Sequence, residues 1–374
     1  MATSISAAVL RQVGEPLRLE QLTLEEPRAD EILVRMVATG ICQADLHVCR
    51  GHIPASVPIV LGHEGAGIVE RVGAAVKSVV PGDHIVLSYQ SCGHCPPCWS
   101  GHPAICDDLF AANFSGMRAD GSAGLRTAEG EPVRGRFFGQ SSFATHTLAT
   151  ERNAVKVPAD LPLEILAPIG CGIETGAGAI LRALAMRSGE TVLVFGVGAV
   201  GMAAVMAAHL AGAAVVIGVD VHPERLTLAL DLGATHCLDA RQVDVAREVK
   251  RICARGVEVI LDTSGHKDSL AAGLASLANG GRFGSVAFAE QSGAILNAAT
   301  LFNGKRLQGI VQGDVVPQVF IPELIALHRQ GRFPFDRLIR TYEFAAIADA
   351  FADAAAGRVI KPVLKFPSSP RIFT

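Results

Sequence analysis

The sequence predicts an α/β chain of two domains. One is antiparallel and β-rich and takes in both ends of the chain; the other is a doubly wound parallel sheet inserted between them. Three observations lead there. Short strand-like runs separated by Gly, Pro and Asp fill the first half. Beyond about Pro168, strand-like and helix-like runs alternate, the pattern of crossover units. The tail from about Asp314 resembles the first half again, and 374 residues suffice for two separate cores. The expected division is 1–172 with 312–374 for the first domain and 173–311 for the second.

In chain order, SISAAVL, EILVRMVATG, GIVERVG and DHIVLSY read as strands, with Pro81 to Asp83 turning the chain before the last. The segment from Asn113 to Arg136 carries seven charged residues and many glycines and is expected to be a surface excursion. In the second domain VLVF, VVIGVD, VEVILDT and GGRFGSVAF are strands, and RLTLALDLG and SLAAGLASLANG are helical. The tail offers a helix in IPELIALHRQG and a strand in VIKPVLKF.

From Thr191 to Val219 no residue is formally charged, and hydropathy alone would flag a membrane span. The run opens with a β-branched strand, breaks at Gly196, Gly198 and Gly201, carries His209 mid-helix and closes with a second strand. A buried β-α-β unit explains it better, so no membrane partner is expected. The net charge of −3 gives no basic surface for nucleic acid. MATSISAAVLRQVGEPL lacks a basic region leading into an apolar core, so a cytoplasmic protein is expected.

Cys92, Cys95, Cys98 and Cys106 lie in CGHCPPCWSGHPAIC with gaps of two, two and seven residues. Four thiolates on one loop can close a tetrahedron around Zn²⁺ and leave no position for chemistry, so this site is structural. A disulfide pair is the alternative, disfavoured by an odd total of nine cysteines. Trp99 is expected to pack beside this loop. Cys49, Cys237 and Cys253 read as buried, reduced thiols.

Gly196-Val-Gly-Ala-Val-Gly201 follows a strand and opens a helix. Gly196 permits the turn, Gly198 lets a pyrophosphate approach the backbone, and Gly201 lets helix and strand pack closely. Asp220 ends the next strand, nineteen positions after Gly201, where a carboxylate accepts from ribose hydroxyls and opposes a 2′-phosphate. NAD is therefore expected over NADP, a preference that Arg225 would soften. This is the Rossmann pattern.

A second metal set is scattered: Cys42 in TGICQADLH, His63 and Glu64 in LGHEGAG, Cys171 in PIGCGIETGAG. Two thiolates and an imidazole leave Zn²⁺ a position for water or substrate. Buried, satisfied Cys and His would be the plainer reading.

CQADLH, GHEGAGIVERVG, CGHCPPCWSGHPAIC, GCGIETG and GVGAVG, in this order, resemble the zinc-dependent medium-chain alcohol dehydrogenases over nearly the whole chain. FFGQSSFATHTLATERNAVKVP, Phe137 to Pro158, is most similar to bacterial aryl-alcohol dehydrogenases of the benzyl alcohol type. The resemblance implies a GroES-like β-rich catalytic domain beside the Rossmann domain. It also implies two Zn²⁺ per chain, one catalytic and one structural, with NAD as cofactor. The substrate would be a small-molecule alcohol or aldehyde, and the assembly a homodimer or homotetramer. Position by position it places catalytic zinc on Cys42, His63 and Cys171, with Glu64 behind the metal and Asp45 orienting His63. Thr175 and Val200 would border the nicotinamide, Lys361 would face the pyrophosphate, and Ser88 and Tyr89 would line the substrate pocket.

Two positions depart from the family. Ala44 stands where a Ser or Thr hydroxyl usually begins the proton relay, although His47 matches its terminal histidine. Gln43 stands where relatives often place a basic side chain at the pyrophosphate.

Overall fold

The structure is a computed structural model that describes residues 2–287 and 302–367. It divides into two compact units. One comprises Met1–Cys171, Val316–Pro322 and Asp336–Thr374; the other comprises Gly172–Val315 and Glu323–Phe335.

The first unit is built on β1 (Thr3–Leu10), β2 (Arg18–Leu24), β3 (Glu31–Gly40), β4 (Ile59–Val60), β5 (Glu64–Val72), β6 (His84–Leu87), β7 (Gly124–Arg126), β8 (Pro132–Arg134), β9 (His146–Thr150) and β10 (Ala154–Lys156). The second unit carries β11 (Thr191–Phe195), β12 (Val215–Asp220), β13 (His236–Asp239), β14 (Val257–Asp262), β15 (Leu277–Ser285) and β16 (Arg306–Gly309). Two strands from the tail, β17 (Ile339–Glu343) and β18 (Lys361–Lys365), return to the first unit.

In the first unit β1, β2, β7, β8 and β4 close a barrel, and a seven-stranded sheet runs β10-β6-β5-β3-β18-β17, with β9 also on β3. The central strand β3 is long and apolar and is flanked by neighbours far apart in sequence. Gly40 at its end pairs with Glu64 of β5 on one side and Val363 of β18 on the other. Ile5, Leu33, Val60, Phe137, Phe143 and Leu364 belong to the core of this unit.

In the second unit six strands run β13-β12-β11-β14-β15-β16, all neighbours parallel. The strands β11, β12 and β14 are rich in Val, Ile and Leu and mostly buried, as crossover helices on both faces require. The apolar stretch after β11 is the helix Ala199–Leu210, buried from Gly201 to Ala208. Among the described residues no single helix is long and apolar enough to cross a membrane.

Several expectations are corrected. The segment 113–136 is a surface excursion only in part: 119–121 and 128–132 are exposed, but Asn113 is fully buried, and β7 and β8 close the barrel. Its charges are accommodated because Arg118 is itself buried and paired, donating from Nε and Nη2 to Glu31 at 2.7 and 2.9 Å and from Nη1 to Glu25 at 2.6 Å. SLAAGLASLANG ends its helix at Ser276, and Leu277 already belongs to β15. Phe288, the last residue of GGRFGSVAF, lies outside the described residues. His209 sits in the last turn of its helix and is exposed, and Trp99 is 75% exposed rather than packed.

The division at 172/173 and 311/312 also shifts. Gly172, 312–315 and Glu323–Phe335 join the nucleotide unit. The Thr175 hydroxyl donates to Gln312 at 3.3 Å, Gly178 packs on Gly313 and Val315, and Arg182 pairs with Glu323 at 2.6 Å.

Candidate metal centres and nucleotide fingerprint

Cys42 precedes the short helix Gln43–Cys49 at the end of β3, and His63 and Glu64 stand where β5 begins. Cys171 follows the turn Ala167–Gly170. The fold brings one ligand atom from each of Cys42, His63, Glu64 and Cys171 within 4.8 Å of one another, although they span 129 positions from Cys42 to Cys171.

Asp45, in the first turn of that helix, ties two of these together. Its Oδ2 accepts the Cys42 N–H at 3.0 Å, while Oδ1 lies 3.1 Å from His63 Nδ1 and accepts the Gly62 N–H at 3.1 Å. With Nδ1 engaged, His63 is left with Nε2, which is buried and has no hydrogen-bond partner among the described residues. An orphaned imidazole nitrogen beside two thiols is costly unless a cation completes it. Two thiolates and one imidazole suit Zn²⁺ and leave a position for substrate. The charges agree. Burial opposes protonation of His63, yet Asp45 and Cys42 hold its pKa well above the usual value. A hydrogen bond from Cys171, then the charge of His63, holds the Cys42 thiol well below its usual range.

Gln140 fixes the backbone of this ligand loop. Fully buried, its carboxamide donates to the carbonyls of His63 and Ser88, both at 3.0 Å, and accepts the Gly65 N–H at 3.1 Å. Ser88 and Tyr89 are both buried.

Aromatic rings crowd the other side of His63. Phe138 stacks on its imidazole at 4.4 Å between centroids, and Phe137 meets it edge-on at 5.5 Å. Phe114 packs edge-on to Phe138 at 5.1 Å and Phe110 follows at 5.6 Å. Phe138 has a φ of +52°, a backbone state that costs a bulky residue about 1–3 kcal/mol. The strain is held by the Ser141 hydroxyl, which accepts from Phe137 N at 2.8 Å and donates to the Val60 carbonyl at 2.6 Å. The sequence pointed to this run only as a family likeness; the FF pair beside a glycine was the available signal.

Lys361, expected to face the pyrophosphate, meets Glu64 within the first unit. Its ammonium is buried and donates to both oxygens of Glu64, at 2.7 and 2.8 Å, and to the Ile41 carbonyl at 3.2 Å. Ala44 lies half-buried against the barrel core. His47 has its Nδ1 3.1 Å from Nδ1 of the exposed His52, a neighbour that sequence reasoning missed. Gln43 is exposed.

Cys92, Cys95, Cys98 and Cys106 form the second cluster, their sulfurs also within 4.8 Å. Burial alone would raise the Cys95 thiol, but the Asp107 and Cys98 backbone N–H groups outweigh it and bring it down to about 7. N–H groups aimed at sulfur stabilise thiolates, as a four-sulfur Zn²⁺ site needs. Burial pushes the Cys49 thiol up to about 12. Cys237 and Cys253 are likewise raised by burial.

In the second unit Gly196 has a φ of +79°, a Cβ on Gly201 would collide with the Gly196 carbonyl, and a Cβ on Gly198 would collide with nothing. The helix that starts at Ala199 offers its first N–H groups there. Asp220 accepts from Val197 N at 2.9 Å and from Val221 and His222 N at 2.8 and 3.0 Å. Arg225 Nη1 lies 3.9 Å from the same carboxylate and 4.0 Å from where a Gly198 Cβ would be. Thr175 is brought close to Val200, whose carbonyl fills the space a side chain on Gly176 would need.

Comparison with known proteins follows these two halves. Residues 28–159 match the family described as alcohol dehydrogenase GroES-like domain, and residues 199–328 match zinc-binding dehydrogenase. The chain is 45% identical over 369 residues to geraniol dehydrogenase of Castellaniella defragrans, covering 97% of this chain and 98% of that one. An alcohol dehydrogenase zinc-binding domain protein from Burkholderia ambifaria superposes with a TM-score of 0.95 at 49% identity, covering 98% of this chain and all of that one. Benzyl alcohol dehydrogenase from Acinetobacter calcoaceticus does so at 0.93 and 41%, with the same coverage.

Proposed function

The chain belongs to the zinc-binding, GroES-like alcohol dehydrogenases, and from that premise we propose that it oxidises primary aromatic or allylic alcohols to aldehydes with NAD, reversibly. The observation that carries this reading is the cluster of Phe138, Phe137 and Phe114 beside His63, an aromatic environment that suits an unsaturated substrate. The two named relatives, a geraniol and a benzyl alcohol dehydrogenase, are consistent with it.

Cys42, His63 and Cys171 would hold the catalytic zinc, and Cys92, Cys95, Cys98 and Cys106 the structural one. When bound, zinc supplies Lewis acidity that makes a substrate hydroxyl more acidic, and the nicotinamide supplies the hydride acceptor. Asp45 keeps the His63 ring in one tautomer and one orientation. The phenylalanines exclude water from that side. Ala44 has no hydroxyl to pass on the substrate proton; His47, with His52 at 3.1 Å, would be the group that takes it up. Asp220 would accept from the ribose hydroxyls, and its charge disfavours a 2′-phosphate.

The test is reduction of NAD and of NADP with benzyl alcohol, cinnamyl alcohol, geraniol, ethanol and butanol, alongside zinc analysis. The expected result is kcat/KM for the unsaturated alcohols about tenfold or more above the aliphatic ones, with NAD preferred and two zincs per chain. Equal or better turnover of ethanol and butanol would replace it with oxidation of small aliphatic alcohols by the same family machinery.

A further inference from the structure

Strands β5 and β6 pair as far as Ala66 with Val86 and then part, with His63 just before the one and Ser88 just after the other. Buried backbone groups at such a fork need other partners. The fully buried carboxamide of Gln140 supplies them: Nε2 donates to the His63 and Ser88 carbonyls, both at 3.0 Å, and Oε1 accepts the Gly65 N–H at 3.1 Å. One side chain thus makes the rung that the parting strands lack. Glutamine suits the place, because it offers two N–H donors and an acceptor without burying a charge beside the ligands. Gly65 lets it approach, since a Cβ there would stand 2.9 Å from Oε1.

Gln140 also belongs to the turn that carries Phe138. Gly139 and Ser141 share the left-handed backbone of Phe138, with φ of +68° and +51°. The turn is held from outside. Asn153 Nδ2 donates to the Phe138 and Gly139 carbonyls at 3.4 and 3.2 Å, and the Thr147 hydroxyl donates to the Gln140 carbonyl. Of these tethers only the Gln140 side chain ends on a metal-ligand candidate. His63 is therefore held twice, by Asp45 at the ring and by Gln140 at the backbone carbonyl. The first hold fixes the ligand atom. The second fixes the ligand segment against the turn whose Phe138 ring stacks on the imidazole.

We propose that Gln140 is a positioning residue for substrate selection: by bridging His63, Gly65 and Ser88 it holds the strained turn against the ligand segment and fixes where Phe138 lies relative to a ring bound at the metal. The proposal rests on the reading of Cys42, His63 and Cys171 as metal ligands and of the phenylalanine cluster as the side that meets an unsaturated substrate. Without the carboxamide Asp45 still orients the His63 ring and the metal stays, while Phe138 loses its fixed place.

The experiment uses the full chain with Co²⁺ in place of zinc, titrated with imidazole and with 4-phenylimidazole and followed by the cobalt absorption bands. Both probes need an open position, so the closed four-cysteine site is silent. Imidazole reads the metal, and the added phenyl ring reads its aromatic surroundings. In Gln140→Met, cobalt content should be unchanged and imidazole affinity should change by less than about twofold. Affinity for 4-phenylimidazole should fall about 3- to 10-fold, and the benzyl alcohol to butanol ratio of kcat/KM should fall with it. Phe138→Ala should lose the same discrimination, and adding Gln140→Met to it should lower it no further. Gln140→Asn keeps the polar atoms but is one methylene too short to reach both strands; it should act in the same direction and decides the matter if Gln140→Met does not fold. An unchanged ratio of the two affinities overturns the proposal. So does an equal loss for both probes, which would make Gln140 a support of the metal site alone, or a full additional loss in the double variant. Two failures would show in the unsubstituted protein, before any variant is made. Cobalt bands insensitive to imidazole would refute the ligand reading, and 4-phenylimidazole bound no more tightly than imidazole would refute the aromatic one; either takes the proposal with it.

Discussion

One carboxylate, that of Asp45, serves two metal-ligand candidates at once: Oδ2 accepts the Cys42 backbone N–H at 3.0 Å and Oδ1 stands 3.1 Å from His63 Nδ1. Asp45 thereby fixes both the backbone turn at one ligand and the ring of the other. Asp45→Asn keeps the shape but can offer N–H to Nδ1, which favours a proton on Nε2, the ligand atom. Zinc affinity at this site should fall about 10- to 100-fold, read by titration against a chelator.

The four-cysteine loop answers to a different measurement. Cys95→Ser opens the tetrahedron at the sulfur with N–H donors aimed at it. Zinc content should drop from two per chain to one and the melting temperature should fall by several degrees, roughly. Metal analysis and a thermal melt on the same sample check both. Loss of both zincs would show that the two centres are not independent.

Phe138→Ala removes the ring stacked on His63 and leaves the backbone in the left-handed region, which Ala also disfavours. An aromatic pair contributes about 0.5–1.5 kcal/mol beyond its area, so kcat/KM for benzyl alcohol should fall about 2- to 10-fold. Turnover of butanol should change less, and the ratio of the two is the readout.

Asp220→Ser withdraws the charge that opposes a 2′-phosphate while leaving an acceptor for Val197 N. The NAD-to-NADP ratio of kcat/KM should shift toward NADP by about tenfold or more. An unchanged ratio would place the discrimination elsewhere, with Arg225 the next residue to change.

Arg118→Met probes the buried ion pairs that close the barrel. Burial would raise the Glu31 carboxyl, but hydrogen bonds from Arg118 and the Arg28 N–H, with the charge of Arg136, hold it below its usual value. A lowered folded pKa adds stability above the unfolded value, lost as pH falls. Removing Arg118 should cost about 3–5 kcal/mol near neutral pH, because a buried carboxylate loses its partner. That deficit should shrink toward pH 4, as protonation relieves the variant while the parent loses its pair. Melting curves from pH 7 to pH 4 test it; a constant deficit would point to lost packing instead.

The sequence by itself determined whatever is written in short-range spacing. The four cysteines of one loop, the Gly196–Gly201 turn between strand and helix, and the alternation of strands and helices after Pro168 are each local patterns. Local geometry alone carries them into space. Cys42, His63, Glu64 and Cys171 could be picked out as candidate ligands, but their meeting was legible only as a family likeness, because nothing local says that residues 129 positions apart come together. The tertiary structure decided the partnerships. Lys361 meets Glu64, 297 positions away, because β3 lies between β5 and β18 and Gly40 leaves the gap. Arg118 and Glu31 let part of a segment that reads as surface be buried by neutralising each other. Phe138 faces His63 only because a strained turn swings it there. Charge and hydropathy describe a residue alone, whereas burial of a charge or a ring depends on what strand register places beside it.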